Sequence, residues 1–269
     1  MIRNPAVAGH FYSGTKSALS KEIESLVGKT IKKEEVIGVV SPHAGYMYSG
    51  AVAAGVLAVI KPKPTYIIMG PNHTGMGESF GITASDTWNT PLGDVRIDKA
   101  LADQLKKNCK YLKGDELSHA HEHSIEVQVP FLQFLQKSFK IVPIVISYAN
   151  PNIYKEIGHA MARSILDLKM EKDVVIIASS DMTHYESQEE ARKKDSAAIE
   201  AILELDADKL VKRVAELDIS MCGYAPAVIM ITAAKELGAK SGRLVKYATS
   251  GDASGDYSSV VGYAGIVIK

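Results

Sequence analysis

Short apolar runs alternate along the chain with stretches that carry a helical repeat. The apolar runs predict strands over residues 36–40, 65–69, 80–85, 141–147, 174–179, 243–249 and 260–268. Apolar positions that recur every three or four residues predict helices over residues 15–27, 49–60, 98–108, 123–137, 152–168, 188–203, 207–216 and 224–237. Continuous apolar strands separated by helices are typical of a sheet covered on both faces. We therefore expect an α/β fold with a mainly parallel or mixed central sheet flanked by helices on both faces.

The segment WNTPLGDVRID interrupts this alternation. Pro91 and Gly93 mark a turn, and the residues on either side are able to pair as an antiparallel hairpin. No repeat, low-complexity tract or linker rich in Pro, Gly and Ser divides the 269 residues. The prediction is therefore one domain over residues 1–269.

The composition narrows the class of protein. Hydrophobic residues make up 46% of the chain and charged residues 23%, as in an average globular protein. Lys plus Arg equals Asp plus Glu at 31 each, so no net charge favours nucleic acid or an anionic membrane as partner. The first residues lack the pattern of a signal peptide, and no long uncharged apolar run follows. Together with only two cysteines, Cys109 and Cys222, these features predict a cytoplasmic protein without a disulfide.

Side chains that can titrate or bind a metal, histidines and an aspartate, follow several of the predicted strands. His43 follows the run VIGVV, His73 follows TYIIM, and both Asp181 and His184 follow VVIIAS. In an open parallel sheet, ligands bind in the crevice beyond the carboxyl ends of the strands. Three strand ends are therefore expected to deliver these four side chains to one edge of the sheet.

A cysteine supplies a fourth element. Cys222 and Gly223 precede an apolar helix, so the thiol is expected near a helix N-terminus, where the dipole lowers the pKa of a thiol. Two imidazoles and a thiolate suit Zn²⁺, Fe²⁺ or copper and suit Mg²⁺ or Ca²⁺ poorly. The sequence thus predicts a metal site of His43, His73 and Cys222.

Each of these residues also has a structural interpretation. The histidines could be loop residues bonded to the backbone, Cys222 a small buried hydrophobe, and Asp181 a turn or helix cap. Cys109 lies among lysines and is expected on a helix surface. Tyrosines near the motifs are as well explained by packing as by hydrogen bonding in a cleft; they are Tyr46, Tyr48 and Tyr224.

The segment HAHEHSIE carries three histidines at alternate positions. A solvated loop accounts for His119 and His121. His123 and Glu126 are three residues apart, so they share a helical face if a helix begins here, and they are candidates to support metal ligands.

Other chemistries lack their motifs. The segment SLVGKT ends like a phosphate-binding loop, but Ile23 stands where the leading glycine is required. GxGxxG does not occur, which weakens a dinucleotide-binding function. The loop TSGDASGD places Asp252 and Ser254 where they could also face the crevice.

Seven ordered segments together carry a resemblance to a known family. The chain resembles the Memo family, whose prokaryotic form is called AmmeMemoRadiSam system protein B, and the resemblance spans nearly the whole chain. The segments are RNPAVAGHFY, SPHAGYMYSG, GPNHTG, TPLGDV, EHSIEVQVPFLQ, SSDMTHY and MCGYAP.

The resemblance implies a fold similar to the LigB-like class III extradiol dioxygenases, whose pocket holds non-haem Fe²⁺ through two histidines and a carboxylate. His43 and His73 match the two metal histidines, and Cys222 matches the third position. His184 matches the acid/base histidine of those dioxygenases, with Asp181 beside it and His123 lining the pocket. Fe²⁺ is the metal that the resemblance implies, with copper and Zn²⁺ as alternatives.

Cys222 departs from the dioxygenase pattern, because a thiolate replaces the carboxylate. A thiolate softens the site, favours Cu⁺ or Zn²⁺ and is itself oxidisable, so ring cleavage does not follow from the fold. Three hypotheses remain open. They are a metal-dependent oxidoreductase acting on a small molecule, a metal-handling protein without turnover, and a module that binds a peptide or a partner such as a radical-SAM protein.

Overall fold

A mixed sheet of twelve strands forms the centre of the computed structural model, which describes residues 1–28 and 32–269. The strands within these residues are β1 (Ile2–Arg3), β2 (Gly38–Ser41), β3 (Thr65–Pro71), β4 (Phe80–Ile82), β5 (Thr87–Thr90), β6 (Gly93–Ile97), β7 (Lys113–Gly114), β8 (Lys140–Ile146), β9 (Val174–Ser179), β10 (His184–Glu186), β11 (Gly242–Thr249) and β12 (Val260–Ile268).

Helices connect most of the strands. They are α1 (Lys16–Leu26), α2 (Tyr46–Leu57), α3 (Lys99–Asn108), α4 (Leu117–Ala120), α5 (Val129–Leu135), α6 (Pro151–Asp167), α7 (Gln188–Leu203), α8 (Ala207–Glu216), α9 (Tyr224–Glu236) and α10 (Gly251–Ser254), with a 3-10 turn over Glu126–Gln128 before α5. None of the helices in the described ranges is both long and apolar enough to cross a membrane.

The centre of the sheet is parallel, and antiparallel pairs occur on either side of it. Strands β6, β8, β3, β9 and β2 lie side by side in parallel pairs. Strand β12 pairs antiparallel with β2, β10 and β11, and β4 pairs antiparallel with the end of β8. The expectation of a mixed α/β sheet in one domain is therefore confirmed. The carboxyl ends of β3, β9 and β2 are neighbours.

Two hydrophobic cores lie on opposite faces of the sheet, because successive strand residues point to opposite sides. Val39 and Ile68 face a core that includes residues of α1, α2 and α5. Val40 and Ile67 face the other core, which includes residues of α3, α6, α7, α8 and α9. Strands covered on both faces carry continuous apolar runs, and this is why the sequence pattern reveals the strands so clearly.

Each strand predicted from an apolar run forms with bounds within three residues of those expected, and short strands form in addition. The hairpin around Pro91 forms as β5 and β6, and α2 begins three residues earlier than expected, at Tyr46. The helix predicted over 123–137 is shorter, because residues before Glu126 form a loop around Glu122. Two-residue strands such as β7 have no detectable pattern. Lys29 and Thr30 of the segment SLVGKT lie outside the described residues.

Candidate metal centre

Three adjacent strand ends supply the site, as the sequence predicts. His43 lies two residues beyond the end of β2, His73 two residues beyond β3, and Asp181 two residues beyond β9. Parallel strands end at the same edge of a sheet, and these three strands are consecutive in it. The site therefore lies in the crevice that the fold class favours.

Cys222 reaches the same edge from the helix α9. Gly223 caps this helix, and a Cβ at this position would lie 2.3 Å from the carbonyl oxygen of Ser179. Only glycine permits so close an approach of the helix to the end of β9. The close packing at Gly223 brings the thiol of Cys222 beside His43.

The ligand atoms of His43, His73 and Cys222 lie within 4.8 Å of one another. The Sγ atom of Cys222 is 3.3 Å from Nε2 of His43, and the two imidazole centroids are 5.2 Å apart. A tetrahedral ion with a nitrogen ligand at about 2.0 Å and a sulfur ligand at about 2.3 Å separates those two atoms by about 3.5 Å. The chemistry and spacing of the three side chains fit a soft or borderline metal ion.

A buried carboxylate fixes the ring of His73. Nδ1 of His73 lies 2.9 Å from Glu122, and its backbone N–H donates to the same carboxylate at 2.6 Å. Backbone N–H groups of His123 and Ser124 donate there as well. Burial alone raises the pKa of Glu122, but the hydrogen bonds and charge of His73 outweigh it and lower the pKa to about 2. A carboxylate behind a histidine is the usual support of a metal-binding imidazole.

The hydroxyl of Ser179 contacts Nδ1 of His43, as the carboxylate of Glu122 contacts Nδ1 of His73. Nδ1 of His43 is 3.0 Å from Oγ of Ser179, and its backbone N–H donates to Asp181 at 2.8 Å. Burial, together with the nearby charges of His73, His123 and His184, holds the pKa of His43 well below its usual range. His43 is therefore neutral at neutral pH, which is the form that binds a metal.

The pKa of the Cys222 thiol differs from the expectation based on the sequence. Burial, and next the charge of Asp181, raise the pKa of this thiol, because enclosure outweighs the helix N-terminus on which the expectation of a lowered pKa rests. In the absence of a metal the thiol is protonated, since a coordinated ion is what deprotonates a buried cysteine outright.

Asp181 and His184 lie beside the three ligand residues. Oδ1 of Asp181 accepts from the backbone N–H groups of His43 and Ala44, and burial raises the pKa of Asp181 to about 6. His184 begins β10, with its Nδ1 3.0 Å from the carbonyl oxygen of Ser220. Its charge influences the pKa of both His43 and Asp181, which places it near the pocket.

His123 also reaches the pocket, but Glu126 does not support it. The ring of His123 stacks on His73 with centroids 4.7 Å apart. Glu126 instead binds Arg3, Tyr12 and the backbone near the N-terminus. The expectation that Glu126 supports a metal ligand is therefore wrong, because the helix begins too late for His123 and Glu126 to share a face.

Glu122 takes the supporting role, and sequence reasoning missed it. Its only signal was an acidic residue between His121 and His123. His73, Glu122 and His123 also form a group with ligand spacing, but the four donors on Glu122 occupy its oxygens. The group around Cys222 is thus the better metal site.

Other expectations require correction. His119 is fully buried instead of solvated, whereas His121 is exposed. Cys109 is buried in a core at the end of α3, and both cysteines are free. Asp252 and Ser254 accept hydrogen bonds from backbone N–H groups within their own turn. Among the tyrosines, Tyr46 is buried and donates to the carbonyl of Val127, which is a structural role.

Comparisons with known proteins agree with the resemblance seen in the sequence. A family model described as "Memo-like protein" matches residues 3–267. A "MEMO1 family protein" of Methanococcoides burtonii is 48% identical over 270 residues, covering 100% of both chains. Relatives with the same description in Methanosarcina mazei and Methanopyrus kandleri are 45% and 43% identical, each covering 100% of this chain and 99% of their own.

Proposed function

The chain belongs to the Memo family, and from this premise we propose that it binds one transition-metal ion and acts as a metal-dependent oxidoreductase. The ion would be held by Nε2 of His43, Nε2 of His73 and Sγ of Cys222. The observation that carries the proposal is the convergence of one ligand atom from each of these three side chains within 4.8 Å, with both rings held through their Nδ1 atoms.

The donor set selects the metal. Two imidazoles and one thiolate favour Fe²⁺, copper or Zn²⁺ over Mg²⁺ and Ca²⁺, and we assign Fe²⁺ on the family resemblance. Three protein ligands leave coordination positions open, so a bound ion would supply Lewis acidity and, if iron or copper, electron transfer to a small molecule.

His184 is the proton-transfer group of the proposal. The carbonyl oxygen of Ser220 only accepts, so Nδ1 of His184 carries the proton that bonds it. In the neutral ring Nε2 is then unprotonated, and it accepts a proton from a substrate. Asp181 stabilises the loop after β2 by accepting hydrogen bonds from the backbone N–H groups of His43 and Ala44.

Cobalt substitution tests the ligand set. Co²⁺ added to metal-free protein should give a thiolate-to-cobalt charge-transfer band in the near ultraviolet. Cys222→Ser should abolish the band, because an alcohol does not replace a thiolate, and Cys109→Ser should leave it unchanged. A band that persists in Cys222→Ser would remove Cys222 from the site.

Oxygen uptake tests the chemistry. Protein purified without oxygen and without a histidine tag is analysed for metal content, loaded with Fe²⁺, and supplied with ascorbate as reductant. We expect uptake above that of free Fe²⁺, and a loss of about 10²- to 10⁴-fold in His184→Ala with metal content unchanged. The exposed His121→Ala is the control. Tight metal binding without uptake would favour the metal-handling or partner-binding hypothesis.

A further inference from the structure

A chain of buried polar groups lies behind His43. Oγ of Ser41 donates to Oε1 of Gln128 at 2.8 Å. Nε2 of Gln128 donates to the carbonyl oxygen of Pro42 at 2.8 Å and to Oγ of Ser179 at 2.9 Å. A carbonyl oxygen only accepts hydrogen bonds, so Pro42 fixes which end of the Gln128 amide faces Ser179.

The donor count at Ser179 then determines the proton on His43. The Ser179 hydroxyl has one proton, and it donates that proton to the carbonyl oxygen of Ser124 at 2.6 Å. Its two lone pairs remain. One accepts the N–H of Gln128, and the other faces Nδ1 of His43 at 3.0 Å. Nδ1 must therefore donate, because two facing lone pairs repel.

We propose that Ser179, held by Gln128 and the Ser124 carbonyl, is a positioning residue that selects the Nδ1–H tautomer of His43. In this tautomer the Nε2 lone pair of His43 faces Sγ of Cys222, 3.3 Å away. The inference rests on the proposed function, in which these two atoms bind the same metal ion. The side chains of Ser41, His43, Gln128 and Ser179 are all buried. Water therefore does not replace the hydroxyl as an acceptor without a rearrangement of the packing.

The two ligand histidines are thereby set by different chemistry. Glu122 presents a charged carboxylate to Nδ1 of His73, whereas Ser179 presents a neutral hydroxyl to Nδ1 of His43. A carboxylate makes its imidazole a stronger electron donor than a hydroxyl does. The site thus combines one strongly and one weakly donating imidazole with a thiolate.

Nuclear magnetic resonance of histidine tautomers tests this inference without a metal. In protein labelled with ¹⁵N at histidine and studied metal-free at pH 8, the long-range ¹H–¹⁵N pattern of His43, assigned by its loss in His43→Ala, should be that of Nδ1–H. Ser179→Ala should admit the Nε2–H form and weaken Zn²⁺ binding about 10- to 100-fold. Ser179→Thr, which keeps the hydroxyl, should restore both readouts.

Ser164→Ala is the matched control, because Ser164 is equally buried and its hydroxyl is bonded on α6, away from the strand ends. An Nε2–H pattern in the wild-type protein would overturn the inference, and this measurement needs no variant. Unchanged tautomer and Zn²⁺ affinity in Ser179→Ala would overturn it as well. An Nδ1–H pattern in a wild-type protein that binds no metal would support tautomer selection and refute the proposed function.

Discussion

Two buried polar clusters lie close together in this fold, and they differ in how their hydrogen-bonding capacity is used. The arginine cluster consists of Arg3, Tyr12, Trp88, His119 and Glu126. Arg3 forms an ion pair with Glu126 and lies over the ring of Trp88, 4.4 Å from its centroid. Arg3 also donates to the carbonyl oxygens of His119 and Glu122. This cluster ties the N-terminal strand to the loop before α5.

The proposed metal pocket consists of His43, His73, Cys222 and Asp181. Its histidines are bonded to supporting side chains through Nδ1, and Nε2 of His43 faces the thiol of Cys222 at 3.3 Å. In the arginine cluster, the charges of Arg3 and Glu126 satisfy each other. Its one buried polar atom without a partner among the described residues, Nδ1 of His119, belongs to no group of converging ligand atoms. The comparison teaches that a buried histidine or carboxylate is not a functional signal by itself. Lone pairs left free and aimed at one point are the stronger signal.

Loss of a metal ligand should give the largest effect, a loss of bound metal. This effect distinguishes the metal pocket most clearly from the arginine cluster. His43→Ala and His73→Ala should each abolish most of the bound metal, because water does not replace a protein ligand at equal affinity. Metal per protomer is measured by elemental analysis, with His159→Ala, which alters a surface histidine, as the control. Wild-type metal content in both variants would refute the pocket.

Disruption of the arginine cluster should lower the free energy of unfolding and leave metal binding unchanged. Glu126→Ala leaves Arg3 buried without its partner, which costs about 3–5 kcal/mol of unfolding free energy. Chemical denaturation measures that loss, and metal content is measured on the folded variant. If metal binding falls while stability holds, the arginine cluster belongs to the functional site after all.

The pH dependence of stability should report His119 in the same cluster. Burial lowers the pKa of His119 to about 4, against about 6.5 in the unfolded chain. The unfolded chain therefore takes up a proton first as the pH falls. The stabilisation is complete above pH 6.5 and is lost between pH 6.5 and about 4, by about 3 kcal/mol at most.

His119→Gln removes this titration and retains a donor for the carbonyl of Gly81, the partner of Nε2. The difference in unfolding free energy between wild type and variant should therefore narrow as the pH falls through this range. A difference that does not change with pH would show that His119 is protonated equally well in the folded chain.

The smallest expected effect is a change in metal affinity on substitution of Glu122, the residue that supports His73. Glu122→Gln should weaken metal binding about 10- to 100-fold, since the amide keeps a hydrogen bond but loses the charge that strengthens the imidazole as a ligand. Glu116→Gln is the matched control, because Glu116 also accepts several loop hydrogen bonds but lies behind Thr83 and Ser85. Equal Zn²⁺ affinities in the two variants would make Glu122 a loop residue only.

Sequence reasoning recovers the central strands and three residues of the site, because the relevant signals are local. Apolar runs identify β2, β3 and β9, and the side chains just beyond them follow from where parallel strands end. The β10 strand and the loop around Glu122 carry no such repeat. Their conformation depends on partners elsewhere in the chain, such as Ser220 for His184 and Arg3 for Glu122.

The sequence alone determined the fold class and, through the order of strand ends and the family motifs, which side chains are candidates for a metal pocket. Only the tertiary structure decided that β3, β9 and β2 are neighbours and that Cys222, 179 residues from His43, lies 3.3 Å from it. It also decided that Glu122, and not Glu126, supports His73, and that Ser179 stands behind His43. Periodicity records which side of an element is buried, whereas the partner of a given atom depends on packing between distant segments, which no local pattern contains.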